Sequence, residues 1–318
     1  MRNGIAIAGN IIVDKINKIS SYPPEGELTK INDITLAVGG CVPNVGIDLK
    51  KIDSTLPVYA LGCIGKDSEG DYALGVMKDN DLDVSMVRCT DKKTSFTDVM
   101  SVPGGQRTFF TYPGASSEFG EADIDFDNLK VDMLHLGYFL LLDKIDAGEG
   151  ERILKLAQQR GITTSIDLVS ENSDRYRIVL PCLPYTDNLI INEVEAGNIT
   201  GIAPTKDNLV SIAKKLKDLG VRDRVIIHTP SVSVCVSNTS ETVVPSYSLP
   251  QGFIKGTTGA GDAFCAGSLL GIYRDWTDEE ILSFASASAT ANLSEADATS
   301  GMRSEQEIRK LVENMDKQ

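Results

Sequence analysis

Apolar and polar residues alternate in blocks along this 318-residue chain, and the rhythm of the blocks changes partway. The run Ile5-Ala6-Ile7-Ala8 predicts a buried strand that ends at a turn, Gly9-Asn10, with Ile11 to Val13 as its extension. Residues 16–36 are rich in Lys, Pro and Gly, and 29–36 alternate weakly, so a short exposed strand pair is expected there. Val45, Leu49 and Ile52 lie at helical spacing behind a Gly39-Gly40 turn. Residues 58–65 predict a strand and loop, and 72–80 a helix. Segments 95–102 and 106–112 read as strands flanking Pro103-Gly104-Gly105, a hairpin. The two polar strand pairs, about 15–36 and 95–112, are expected to join in one small sheet, a lid over the main core.

From about residue 131 strands and helices take turns. Strands are expected at 133–136, 162–168, 188–192, 224–229 and 232–237. Helices are expected at 149–160, closed by Gly161, and around Leu209, Ile212, Ala213, Leu216 and Leu219, closed by Gly220. Thr277-Asp278-Glu279-Glu280 and Ser304-Glu305-Gln306-Glu307 each carry the capping-box pattern that starts a helix. No repeat or low-complexity segment interrupts the pattern. Such alternation predicts an α/β fold, a mainly parallel sheet with helices on both faces. Ligands in such sheets bind beyond the carboxyl ends of the strands. The turns at Gly9, Gly39-Gly40 and Gly62, together with Asn192, would collect at that edge.

Composition narrows the partners. Hydrophobic residues make up 42% and charged residues 24%, as in ordinary globular proteins. A net charge of −14 argues against nucleic acid or an anionic membrane as a partner. No apolar stretch reaches the length of a membrane span, and the first residues do not resemble a signal peptide. A cytoplasmic location is expected. The six cysteines show no Cys-x-x-Cys spacing and read as buried free thiols. His135 and His228 are the only histidines, which excludes a His-rich metal site; both read as structural.

The densest chemistry lies in Gly256-Thr257-Thr258-Gly259-Ala260-Gly261-Asp262, followed by an apolar run that predicts a helix buried on most sides. A glycine loop opening a helix presents free N–H groups and a positive dipole end to an anion. Asp262 would stand beside that anion in the first turn, either as a chemical group or merely as a cap. The dinucleotide fingerprint, the P-loop, Gly-x-Ser-x-Gly and His-Glu-x-x-His are all absent, which disfavours a dehydrogenase.

This loop resembles the C-terminal signature of the ribokinase-like (PfkB) carbohydrate kinases. Further matches follow in order: Gly9-Asn10 with Asp14, Gly39-Gly40 with Asn44, and Asn192 with Glu195. The resemblance spans essentially the whole chain and implies one ribokinase-like domain, 1–318, with the β lid inserted. It implies ATP-dependent phosphorylation of a sugar or nucleoside hydroxyl with Mg2+. Asp262 would be the general base, and the backbone of Gly259, Ala260 and Gly261 the anion hole. Asp14, Gly39, Gly40 and Asn44 would bind the sugar, with Arg107 reaching it from the lid. Asn192, Thr229, Thr257 and Asn292, with Gly259 and Gly261, would face the nucleotide. Glu195 and Asn192 would meet Mg2+ through water.

Three departures from the family pattern stand out. Gly256 replaces the first Asp of the signature, which helps hold a monovalent cation, and leaves potassium activation in doubt. Thr229-Pro230-Ser231-Val232-Ser233 replaces a glycine-containing turn near the nucleotide. Cys41 stands where ribokinase carries a lysine, which disfavours ribose. A nucleoside kinase and a non-catalytic sugar- or nucleotide-binding sensor remain the alternatives. The lid's strand edges would suit a homodimer.

Overall fold

A computed structural model describes residues 3–102, 107–171 and 173–318. The hairpin turn expected at Pro103-Gly104-Gly105, with Gln106, lies outside the described residues. Along the first part of the chain run β1 (Ile5–Ala8), β2 (Ile12–Ile19), β3 (Ile31–Gly39), α1 (Cys41–Ile52), β4 (Val58–Leu61), β5 (Cys63–Gly65), α2 (Ser68–Asp79), β6 (Arg88–Thr90), β7 (Ser95–Ser101) and β8 (Arg107–Tyr112). The α/β part continues with β9 (Met133–Phe139), α3 (Gly150–Gln159), β10 (Thr163–Leu168), β11 (Asn188–Asn192), α4 (Glu193–Thr200), α5 (Leu209–Asp218), β12 (Arg224–His228), β13 (Val232–Val236) and β14 (Glu241–Pro245). Helices α6 (Ala260–Tyr273), α7 (Asp278–Asn292) and α8 (Glu305–Val312) close the chain.

Eight strands form the central sheet in the order β14-β13-β12-β11-β10-β9-β1-β4. All neighbours are parallel from β12 to β4, and β13 and β14 add an antiparallel edge. Alternation along β1 shows how both faces are filled. Ala6 and Ala8 join the cluster that packs α3 and α5, whereas Ile5 and Ile7 join the cluster that packs α1, α6 and α7. Helix α5 buries one stripe only, Leu209, Ile212, Ala213 and Leu216. Helix α6 is buried from Asp262 to Tyr273 because α1 flanks it on one side and α7 on the other.

The small second sheet has the order β3-β2-β7-β8. Here β2 pairs with β7 in parallel, from Ile12 opposite Ser95 to Lys18 opposite Ser101, so the two polar segments do join in one lid. Its strands reach from Ile12 to Gly39, further at both ends than the pattern of 15–36 suggested. The lid leaves Ile34, Leu36, Phe109 and Phe110 exposed.

Several boundaries differ for local reasons. The apolar segment 58–65 breaks at Gly62 into β4 and β5, and β5 turns away to pair with β6. Helix α2 begins at Ser68, because Asp67 caps it by accepting from the Gly70 N–H. Asn192 and Glu195 form a reciprocal capping box that starts α4, a helix the sequence pattern did not indicate. Among the described residues, no helix is long and apolar enough to cross a membrane.

Candidate active site

The glycine loop is built by exclusion. Gly259 caps α6 in a left-handed conformation, φ 79°, and a Cβ there would lie 2.5 Å from the Ala298 carbonyl oxygen. Glycine alone meets both demands. Ala260, Gly261 and Asp262 then form the first turn of α6, where N–H groups lack intrahelical acceptors. The Ala260 N–H makes only a long 3.3 Å bond to the Thr257 carbonyl, so of the three expected donors it is the one already engaged. The loop therefore offers N–H groups and the helix dipole to an anion.

Asp262 stands at the inner end of this turn and is almost fully buried. Its Oδ2 accepts from Asn44 Nδ2 at 2.9 Å and from the Tyr138 hydroxyl at 3.0 Å. Burial, reinforced by the charge of Asp167, pushes its carboxyl up to about 7, while the two hydrogen bonds oppose the shift. A carboxylate of that basicity can take a proton near neutral pH. Tyr138 reaches it from a strained backbone, φ 60°, two residues before Leu140 at φ 85°. The same conformation directs the Tyr138 N–H onto Asp167 Oδ1 at 2.6 Å.

The residues expected to hold a sugar gather on the lid side of Asp262. The carboxylate of Asp14 on β2 lies against Gly39, where any Cβ would overlap it. Burial pushes Asp14 up to about 6, against a hydrogen bond from Thr97. Gly40 has φ 91°, and Asn10 fills the place of its missing side chain, with the Asn10 carbonyl oxygen 2.7 Å from a Cβ position. Asn10 Oδ1 accepts from the Cys41 N–H at 2.9 Å. Asn10 Nδ2 and Asn44 Oδ1 are buried without a protein partner, one spare donor and one spare acceptor. Arg107 of the lid donates through Nη1 to Thr258 Oγ1 at 3.1 Å, tying the lid to the glycine loop.

Two cavities meet at the loop. A smaller one of about 170 Å³ is lined by Tyr138, Asp167, Asn192, Glu195, Gly261 and Asp262. A larger, mainly apolar one of about 670 Å³ is lined by Thr229, Thr257, Ala260, Phe264, Thr290 and Leu293, among others. Asn192, His228 and Gly261 line both. Thr229 reaches the larger cavity while holding its own turn, accepting from the Ser231 and Val232 N–H groups. Asn292 is fully buried and donates to the Ala298 carbonyl at 2.5 Å; it braces the loop behind Gly259, and its neighbours Thr290 and Leu293 form the wall instead.

Glu195 is buried at the edge of the smaller cavity. Its Oε1 accepts from Ser170 Oγ at 3.0 Å and its Oε2 from the Asn192 N–H at 3.1 Å. Burial pushes its carboxyl up to about 8, with Asp167 adding to the shift. Such a carboxylate gains most from a nearby cation, and its hard oxygen donors suit Mg2+. Position 256 tells the opposite story for the monovalent ion. A Cβ at Gly256 would lie 2.7 Å from the Ala296 carbonyl oxygen and 2.9 Å from its Cα. The backbone of residue 296 thus fills the space the signature's first Asp would need.

Sequence reasoning missed three residues at this centre. His228, read as structural, lines both cavities, stacks on Phe264 at 4.6 Å, and is held neutral by burial, which lowers it to about 4. Asp167 was visible as a strand-ending carboxylate, but nothing ranked it above others. Tyr138 carried no signal beyond its place near a strand end.

The pfkB family carbohydrate kinase model matches residues 4–305. A ribokinase from Arabidopsis thaliana is 24% identical over 312 residues, covering 97% of this chain and 80% of that protein. The solved structure of Arabidopsis thaliana ribokinase complexed with ribose and ATP superposes with a TM-score of 0.86 at 22% identity, covering 98% of this chain and 99% of the other. A nucleoside kinase from Methanocaldococcus jannaschii gives a TM-score of 0.78 at 17% identity, covering 98% of each chain. A family match over nearly the full length, on a ribokinase-like fold with its glycine loop and lid in place, leaves one assignment: this chain belongs to the pfkB family of carbohydrate kinases, phosphotransferases that act on an alcohol group.

Proposed function

We propose that this protein transfers the γ-phosphoryl group of ATP to a hydroxyl of a sugar, with Asp262 as general base. The observation that carries this reading is the position of Gly261 where the two cavities meet, with Asp262 beside it on the wall of the smaller one. The larger, apolar cavity suits a nucleotide base and ribose, with Thr257 and Thr229 on its wall. The smaller one places a carboxylate of raised pKa at the helix N-terminus that would hold the phosphoryl oxygens. Asp262 accepts the hydroxyl proton as the alcohol attacks; Asn44 and Tyr138 fix the angle of its carboxylate. Glu195, with Asn192, would hold Mg2+ through water, an ion that neutralises phosphate charge when bound. His228, neutral between the cavities, offers one N–H donor and one acceptor nitrogen there without a positive charge.

A sugar is favoured over a nucleoside by the hydrogen-bonding groups on the acceptor side. Asp14, the spare Asn10 Nδ2 and the spare Asn44 Oδ1 form a cluster of hydrogen-bonding groups suited to several hydroxyls. The exposed apolar face of the lid supports pairing of two chains through it. The test is phosphorylation of a panel of sugars and nucleosides with Mg-ATP. The reading expects turnover of at least one sugar, lowered by orders of magnitude in Asp262→Asn. Turnover confined to nucleosides would move the assignment to the nucleoside branch, and no turnover of any alcohol would overturn it.

A further inference from the structure

Behind Asp262, four potential metal ligands converge from four different elements. His135 comes from β9, Asp167 from β10, Cys41 from the first turn of α1, and Cys265 from α6, one turn after Asp262. The sheet register accounts for the first two. His135 pairs with Ser165, and just beyond them the register shifts between Ile166 and Leu168, where Gly137 lies beside Asp167. Gly137 is what leaves room, since a Cβ there would overlap Cys41 Sγ and lie 2.9 Å from Asp167 Oδ1.

From this constellation we infer that the protein binds a thiophilic divalent cation, of the zinc class, between Cys41, His135, Asp167 and Cys265. The separations carry the inference. Tetrahedral zinc, with bonds of about 2.0 Å to nitrogen or oxygen and about 2.3 Å to sulfur, sets a nitrogen and a sulfur ligand about 3.5 Å apart, and nitrogen and oxygen about 3.3 Å apart. His135 Nε2 lies 3.6 Å from Cys265 Sγ and 3.4 Å from Asp167 Oδ2. Cys41 Sγ completes the set, with the ligand atoms of Cys41, His135 and Asp167 all within 4.8 Å of one another. His135 Nδ1 sits 2.8 Å from Ser165 Oγ. With Nδ1–H donating to that hydroxyl, the Nε2 lone pair is free for an ion, the second-shell arrangement typical of metal-bound histidine.

Donor chemistry separates this site from the neighbouring magnesium position. Two sulfurs and an imidazole select zinc, copper(I) or cobalt over magnesium, whereas Glu195 and Asn192 offer oxygen. Asp167 and Cys265 line the smaller cavity, which supplies an entry path. Both cysteines are free thiols, and a metal ion takes a cysteine as its thiolate. Binding therefore displaces two protons: the ion takes both sulfur electron pairs, the imidazole lone pair and one carboxylate oxygen. The bound ion would pin α1, α6, β9 and β10 together directly beneath the base. The inference does not rest on the kinase reading, because its test uses no turnover.

The test begins with the unaltered chain. After desalting, zinc-loaded protein should retain about one zinc per chain and melt several degrees higher than chelated protein. Cobalt(II) added to the chelated chain should produce the intense visible bands of a tetrahedral thiolate site, with release of about two protons per ion. Cys265→Ser and Cys41→Ser should each weaken or abolish the bands, while Cys89→Ser, at an exposed cysteine, should not. A featureless cobalt spectrum from the unaltered chain overturns the inference even if the variants misfold. So does a full spectrum in both Cys41→Ser and Cys265→Ser.

Discussion

Replacing Asp262 by Asn separates the carboxylate's chemistry from its cost to the fold. The carboxyl is pushed up to about 7 from its ordinary 3.8, by burial first and the Asp167 charge second. The folded chain therefore holds this proton more tightly than the unfolded chain does. Stability from this group is fully present below about pH 3.8 and is lost as pH rises through about 7. At about 1.36 kcal/mol per pKa unit, the loss is ~4 kcal/mol at pH 8 but only ~2 kcal/mol at pH 5. Asparagine keeps an acceptor oxygen for Asn44 Nδ2 and the Tyr138 hydroxyl but cannot ionise. Any cost of its extra amide N–H groups is the same at both pH values and cancels in the difference. Urea denaturation at both pH values should show the stability of Asp262→Asn relative to the parent growing by ~2–3 kcal/mol from pH 5 to pH 8. Phosphoryl transfer by the same variant should fall by about 10²–10⁴-fold. A stability difference that stays flat or shrinks as pH rises would refute the buried, proton-holding carboxylate. Near-normal turnover would refute its role as base.

Tyr138→Phe removes a hydrogen bond to the ionised base worth ~1.5–3 kcal/mol, so the base becomes harder to ionise by about one to two pKa units. Because activity is lost as pH falls through the base's pKa, the acidic limb of kcat/KM should move to higher pH by that amount; a limb that stays put or moves lower contradicts the contact. Arg107→Ala cuts the tie between the lid and Thr258 and should raise the KM for the sugar about tenfold while the melting temperature holds, an outcome checked by steady-state kinetics. Rates in potassium and in a bulky organic cation should agree within about twofold, since the Ala296 backbone fills the space of a side chain at position 256; strong potassium activation would show that another group supplies the ligand. Sedimentation should give a dimer that Ile34→Asp on the lid face converts to monomer; a parent chain that sediments as a monomer rules out pairing through the lid.

What the sequence made legible follows from how each feature is encoded. The phosphate cradle needs consecutive N–H groups and glycine-only conformations, so Gly259, Gly261 and Asp262 stand together in the chain and can be read there. The parallel sheet announces itself through strand-helix alternation, and the lid through polar strand pairs, because both are properties of contiguous segments. Asn192 and Glu195 were readable as a pair for the same reason, though the capping box they form was not anticipated. The partners of the base are a different kind of fact. Asn44 lies 218 positions from Asp262, and Tyr138 lies 124 positions from it. Only the packing of α1 against α6, and the left-handed backbone at Tyr138, bring them to one oxygen. Cysteine spacing misleads in the same way. Positions 41 and 265 show no metal-binding period, and two histidines exclude a His-rich site. Yet a soft ion needs four donors about 3.5 Å apart in space, not along the chain. The β9-β10 register supplies His135 and Asp167, and the two helices that flank the base supply the sulfurs. Spacing rules detect sites built on one local loop; a site assembled from four elements around a glycine gap is visible only once the elements are packed.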